Sequence, residues 1–285
     1  MVGSCRARWL LLVPALLLVG AVLIVPSAAG LARSFTAPGD GGQAVFVGSV
    51  NYWRVLADRD ARTSVGNGVE YALISAPLSM IAGLALAIAI ASAHRREALR
   101  LLFLTPWLAS PIAVGVLWRF FLNNPVGLAN LLLTHLGRPL ALGPFSNPGL
   151  ALPLAAGVDV WRTSPLVAFL LVPGLLAIPA ELRDQAAIDG AVGWRLFRDV
   201  LVPALRPLLA AVLLLRLADA LGTSDTLFTL THGGPVDRTT TLALYSYMRL
   251  AVADDWARGL AAAWLIVVLS VVLGTVCLWV ARDRR

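Results

Sequence analysis

The sequence has no lysine, two cysteines and three histidines among its 285 residues. Only 14% of its side chains are charged, against about 25% in soluble domains. So little charge excludes a disordered chain, which needs high charge and low hydrophobicity, and argues against a soluble globule. Cys5 and Cys277 lie at opposite ends, so neither a disulfide framework nor metal-ligand spacing can be built from them. Cys5 precedes the first apolar run and is not placed like a lipid-modified cysteine. His94, His135 and His232 are too far apart to suggest a metal site. No G-x-x-x-x-G-K-[ST] motif occurs, so the chain is not expected to bind ATP itself. No Ser/His/Asp arrangement suggests covalent catalysis, and the expectation is a protein that is not an enzyme. Gly233-Gly234 beside Pro235 reads as a turn, not a phosphate cradle.

What remains is apolar: 59% of residues are hydrophobic and the mean hydropathy is +0.80. A membrane-spanning helix needs roughly 20 mostly apolar residues, and six candidate segments fall near 9–32, 67–93, 101–122, 149–178, 208–229 and 258–280. They are continuously apolar, unlike the alternating strands of a barrel. The expected fold is all-α, a polytopic membrane protein with six spans, forming one domain over 1–285. Pro14, Pro77, Pro106, Pro111, Pro153, Pro165 and Pro173 lie inside these segments. Spanning helices tolerate them where neighbours satisfy the freed carbonyls. Asn123-Asn124-Pro125 and Ser146-Asn147-Pro148 bound the third and fourth segments.

Net charge is +7, all of it from arginine, and its placement matters more than its sum. It does not point to nucleic acid. Arg6 and Arg8, the group His94-Arg95-Arg96-Glu97 with Arg100, the stretch 180–207, and the tail Arg282-Asp283-Arg284-Arg285 all fall on one side of a six-span chain. The positive-inside rule makes that side the cytoplasm, with both termini inside. A cleaved signal peptide is the alternative for the first segment, given Ser27-Ala28-Ala29 after the apolar run. The stretch 180–207 stays inside in either case.

That stretch is too amphipathic for a linker. A helix can run from Pro179 to about Asp189, ending at Gly190. A second, near 193–200, would align Leu196, Phe197 and Val200, with Pro203 and Pro207 stopping it. Two readings fit: a hairpin that docks into another protein, or one lying on lipid headgroups through Arg195, Arg198 and Arg206. The residues Asp184-Gln185-Ala186-Ala187-Ile188-Asp189-Gly190-Ala191, followed by Phe197, Pro203 and Pro207, resemble the E-A-A-x-x-D-G-A loop of permease subunits in binding-protein-dependent ABC importers. Asp184 and Gln185 stand where that family usually has Glu and Ala. Further matches are Val45-Phe46-Val47-Gly48-Ser49-Val50-Asn51-Tyr52, Trp161-Arg162-Thr163-Ser164-Pro165, and Asp225 through Gly233-Gly234-Pro235, with Ser224 in place of the usual Phe. The resemblance spans about 9–280 and is greatest to the maltose and glycerol-3-phosphate permeases.

The resemblance implies that Asp184, Gln185, Ala186, Ala187, Asp189, Gly190, Ala191 and Phe197 contact an ATP-binding subunit, which holds ATP and magnesium; this chain would carry no cofactor. It also implies a second homologous permease, two ATP-binding cassette subunits, an extracytoplasmic solute-binding protein and a sugar or sugar derivative as cargo. Inside the membrane, Asp159 and Arg162 share a face of the fourth span, as do Arg216 and Asp219 on the fifth. At 1.5 Å per residue all four lie roughly 14–18 Å below the outer edge of a core about 30 Å thick. Asp219 is expected to pair with Arg162, or Arg216 with Asp159, either as a structural lock or along a hydrated path. Trp118, Trp161 and Asp225 are the other path candidates, since sugars offer C–H faces to aromatics and hydroxyls to carboxylates. Trp107, Trp118 and Trp256 also suit interfacial anchoring, and Arg119 can snorkel. An ion-coupled transporter using Asp159 and Asp219 is the competing function.

The topology is checked by single cysteines in a background lacking Cys5 and Cys277. Cysteines at Gly41 and Asp237 are expected to label from outside, and one at Arg195 is not. External labelling at Arg195 would invert the assignment.

Overall fold

In hydrocarbon every backbone N–H and C=O must be satisfied within the chain, so long apolar runs become helices. The computed structural model describes residues 12–39, 43–92, 103–123, 126–138 and 143–282. The basic groups at Arg6, Arg8, His94–Arg100 and 283–285, together with Cys5, Gly41 and Asn124-Pro125, lie outside the described residues. The described helices are α1 (Leu12–Ser34), α2 (Val50–Ala57), α3 (Arg59–Ser92), α4 (103–108), α5 (Pro111–Phe121), α6 (Leu128–His135), α7 (Pro148–Leu176), α8 (Ala180–Ile188), α9 (Trp194–Gly222), α10 (Asp225–Thr231), α11 (Leu242–Ala251) and α12 (Trp256–Arg282). Five of them, α1, α3, α7, α9 and α12, are long and apolar enough to cross a membrane.

The third expected segment, 101–122, is not one continuous helix. It is divided into α4 and α5 at Ser110, whose backbone is extended at φ −55°, ψ 135°. Pro111 is the cause: a residue before proline is pushed out of the helical region. The fifth segment is displaced from 208–229. Helix α9 begins at Trp194, ends at Gly222, and is followed by the separate α10. Nor do Pro203 and Pro207 stop the preceding short helix, as expected. A π-turn over Phe197–Leu201, closed by Val202 N–H to the Phe197 carbonyl, carries the chain into the span. Pro203 lies inside α9, at the start of the α-helical run that follows the π-turn, where its missing N–H costs little.

The chain forms two compact units. One comprises 1–62 and 245–265, the other 63–244 and 266–285. In the first, Phe35 follows α1 and leads into a two-stranded antiparallel hairpin, β1 (Thr36–Pro38) with β2 (Ala44–Phe46). Buried Asn51 donates to the Ser34 and Thr36 carbonyls, both at 2.8 Å, while the Tyr52 hydroxyl meets that of Ser34 at 2.6 Å. The F-V-G…N-Y stretch is therefore a clamp on the end of α1. Its carbonyls would otherwise lack partners there. Asp58 accepts from the Tyr245 hydroxyl at 2.8 Å and from Arg249 at 3.2 Å. Burial raises the Tyr245 hydroxyl first, the Asp58 hydrogen bond adds to it, and its pKa reaches about 12.

In the second unit the core lies between α3, α7 and α9, through Ala87, Ile90, Val167, Ala168, Leu171, Leu175, Leu205 and Val212. Asn147 caps α7 by accepting from the Gly149 N–H at 2.9 Å, with Pro148 at the first helical position. Helices α3 and α7 approach so closely at Gly83 that a Cβ would lie 2.5 Å from Val167 Cβ and 2.8 Å from the Ser164 carbonyl. Close approach at small residues is how helices pack where lipid removes the hydrophobic drive.

Gly83→Ala should therefore cost about 1–3 kcal/mol through overpacking. Gly157→Ala, on an open face of α7, should leave stability unchanged. Thermal denaturation of the detergent-purified protein tests both, and equal midpoints would remove the close contact from the account.

Candidate functional site

Burying a charge in hydrocarbon costs several kcal/mol unless it is paired, so the charged residues of α7 and α9 must be accounted for by their surroundings. Arg216 of α9 is 1% exposed and Asp159 of α7 is fully buried. They meet across the two helices, Arg216 Nη2 donating to Asp159 Oδ2 at 2.7 Å. Arg216 Nη2 also donates to Ser75 Oγ, and Nε to Ser79 Oγ, both at 3.2 Å. Ser75 donates to the same Asp159 oxygen. Arg162 pairs with Asp159 Oδ1 at 3.1 Å, and Thr163 Oγ1 donates to the Asp159 carbonyl at 2.7 Å. Arg216 Nη1 reaches Asp219, one turn on, whose side chain is 49% exposed. Two arginines and two aspartates make the set formally neutral, and it ties α3, α7 and α9 together.

Of the two expected pairings, Arg216 with Asp159 is formed. Asp219 pairs with Arg216 and not with Arg162. The depth estimates placed all four charges nearly level, so depth alone could not choose; the rotation of each helix about its axis does. Ser75 and Ser79 were not anticipated. Their i, i+4 spacing on an apolar helix put both hydroxyls on one face, but serine in a span is common and carries no such signal alone.

Trp118 of α5 and Trp161 of α7 do come together, ring centroids 5.6 Å apart and nearly edge to face, with Phe121 5.4 Å from Trp118. The Trp161 side of this pair is exposed. Asp225 stands apart from the charge network, exposed at the start of α10 beside Ser224 at 3.3 Å. Gly233, at φ +88°, leaves 2.4 Å between a built Cβ and Thr240 Oγ1. With Thr231 and Thr239 joined at 2.6 Å, and Asn67 donating to the Asp237 and Thr240 carbonyls, the Gly-Gly-Pro segment is a rigid turn.

At the other end of α7, helix α8 is held back by Arg183, which donates to the Leu175 carbonyl at 2.6 Å. It ends in a left-handed residue, Gly190 at φ +71°, with Gly190 N–H to the Ala187 carbonyl at 3.1 Å and Ala191 N–H to that of Ala186 at 2.7 Å. That paired closure satisfies two terminal carbonyls. Asp184, Gln185, Ala187, Asp189 and Gly190 are exposed, Ala191 and Phe197 partly so, and Ala186 is buried within the chain. Ile188, Val192 and Trp194 project large apolar surfaces, and Trp194 stacks on Phe197 at 5.0 Å.

Several apolar spans, a charge-neutral polar centre and an exposed apolar segment at one end are the outline of a membrane transport subunit. Residues 76–285 match the family described as binding-protein-dependent transport system inner membrane component. The chain is 36% identical over 245 residues to the trehalose/maltose transport system permease protein MalF of Thermococcus litoralis, covering 84% of this chain and 81% of that protein. It is 31% identical over 278 residues to the sulfoquinovosyl glycerol transport system permease protein SmoG of Agrobacterium fabrum, covering 96% and 90%. Its fold is similar to a chain of a bacterial alginate ABC transporter solved with an alginate pentasaccharide-bound periplasmic protein, with a TM-score of 0.80 at 18% identity, over 95% and 93% of the two chains. The protein belongs to the binding-protein-dependent transport system inner membrane components: it is a multi-pass membrane permease subunit of an ABC importer, not an enzyme.

Removing one partner from a buried ion pair costs about 3–5 kcal/mol, because the other charge is left uncompensated. Arg216→Ala should therefore reduce assembly sharply, and Asp159→Ala in the same chain should restore part of it. Asp219→Ala, at the half-exposed end, should cost less. A double-mutant cycle on detergent-extracted complex measures the coupling, and a zero value for Arg216 with Asp159 would dissolve the proposed lock.

Proposed function

We propose that the chain, acting as one permease domain, passes a sugar or sugar derivative inward across the cytoplasmic membrane as part of an ATP-driven complex. The observation that carries this reading is the exposed segment at 180–207. Its apolar projections, Ile188, Val192 and Trp194, stand on α8, on the turn that follows it and at the start of α9, and α8 is tied back to the transmembrane core through Arg183. An apolar patch on a structured hairpin suits docking in a cleft better than lipid contact alone. In this reading Asp184, Gln185, Ala187, Asp189, Gly190, Ala191 and Phe197 face an ATP-binding subunit that holds ATP and magnesium, with Ala186 packing the hairpin beneath them. The assembly comprises a second homologous permease, two such ATP-binding subunits and an external solute-binding protein. The relatives named for maltose, trehalose and sulfoquinovosyl glycerol support the sugar class, and the arginine asymmetry supports cytoplasmic termini.

Closure of the ATP-binding pair moves the hairpin, and the spans switch between outward and inward access. Asp159 and Arg162 belong to the lock that lets α3, α7 and α9 move as one body. Asp219, whose side chain is half exposed, faces the path together with Trp118, Trp161 and Asp225. The ion-coupled alternative gains nothing from the geometry, because Asp159 is already shared between two arginines.

Gly190 provides the test. A Cβ there meets nothing within 4 Å in this chain, and asparagine tolerates its left-handed backbone. Gly190→Asn should therefore insert and fold, lose the ATP-binding subunit on co-purification, and abolish uptake into cells. Normal uptake by this variant would remove the hairpin from the mechanism.

A further inference from the structure

At the end of α7 opposite the hairpin, the second unit contains a cavity of about 420 Å³, within the range of small-molecule sites. Arg119, Asn123, Phe145, Ser146, Thr231 and Gly234 line it. This lining offers a guanidinium, a carboxamide, two hydroxyls and one aromatic ring. Those are the groups that meet, respectively, an anion, sugar hydroxyls and the C–H face of a pyranose.

The guanidinium sets the site apart. Arg119 Nη1 donates to His232 Nδ1 at 3.1 Å and to the Thr229 carbonyl at 3.5 Å, and both acceptors are neutral when the His232 proton sits on Nε2. The ring of His232 is itself held 4.7 Å from that of Phe228. Among the described residues, Arg119 is thus oriented without being neutralised. No Asp or Glu occurs anywhere between Glu97 and Asp159, so α4, α5, α6 and the loops joining them offer it no counter-charge. Asp225 and Asp237, on the side of the other wall, form no ion pair with Arg119 among the described residues; each accepts instead from a neutral hydroxyl, Ser224 at 3.3 Å and Thr240 at 3.5 Å. A site for neutral sugars has no need of an unpaired guanidinium, because amides and hydroxyls satisfy hydroxyl groups at lower desolvation cost.

We propose that this cavity is a receiving site for a sugar bearing an acidic group, with Arg119 binding the anion and Asn123 and Ser146 the hydroxyls. The inference rests on the sugar-import reading above and narrows its substrate class to anionic sugars. Arg119 is a specificity-determining residue, positioned by His232.

The test uses the intact transporter in phosphatidylcholine nanodiscs, without the solute-binding protein, titrated with glucuronate and with glucose by saturation-transfer NMR. The two probes share a ring and differ in one carboxylate. Glucuronate should bind about tenfold more tightly than glucose, and Arg119→Gln should bring the two sugars to equal affinity. Arg119→Lys should retain part of it, and raising the ionic strength should weaken glucuronate alone. Equal binding of the two sugars, or a preference that survives Arg119→Gln, would overturn the inference. So would loss of the preference in nanodiscs containing phosphatidylglycerol, which would assign the site to a lipid headgroup. If neither sugar binds, and no sugar stimulates ATP hydrolysis with the binding protein present, the sugar-import reading fails instead.

Discussion

The interaction on which the second unit depends is the burial of Arg216. A guanidinium cannot be neutralised by losing its proton, so an arginine at mid-membrane must be solvated by protein. Its donors reach Asp159, Asp219, Ser75 and Ser79 on three helices. Each acceptor fixes a helix rotation as well as a distance. The close approach at Gly83 follows, because α3 must come within hydrogen-bond reach of the arginine while its neighbours pack on α7. Apolar contacts among Val167, Leu171 and Leu205 then fill the remaining space, but alone they would permit many registers.

Polar order at one end and apolar exposure at the other suit a permease. The Gly-Gly-Pro turn, with Asn67 and the buried threonines 239–241, is cross-linked by hydrogen bonds and holds its shape. The 180–207 hairpin is shaped internally by the Gly190 closure and the Arg183 tether, yet it leaves Ile188 and Trp194 uncovered. In the proposed mechanism, a body rigid at its centre and unsatisfied at its tip suits the passing of displacement from a docked partner to the core. Arg119 follows a different logic at the opposite end: it is held by neutral groups so that its charge remains available.

Composition and periodicity alone determined the all-helical membrane character, the positions of most spans and the short helix before Gly190, since hydrocarbon leaves a backbone few alternatives; the second short helix expected near 193–200 is instead continuous with the span. The motif residues around Asp189-Gly190 were legible for the same local reason: a left-handed helix end calls for glycine. Other features depended on tertiary structure. Proline spacing did not reveal that Pro203 would be absorbed by a π-turn while Pro111 would divide a span, because the outcome depends on which neighbours take up the freed carbonyls. Depth counting brought four charges level but could not choose Arg216 with Asp159, since pairing requires the angular facing of two helices packed on a third. The roles of Ser75 and Ser79, and of His232 in orienting Arg119, were invisible for the same reason. Each is an ordinary polar residue whose meaning comes from partners 84 to 141 positions away in the chain.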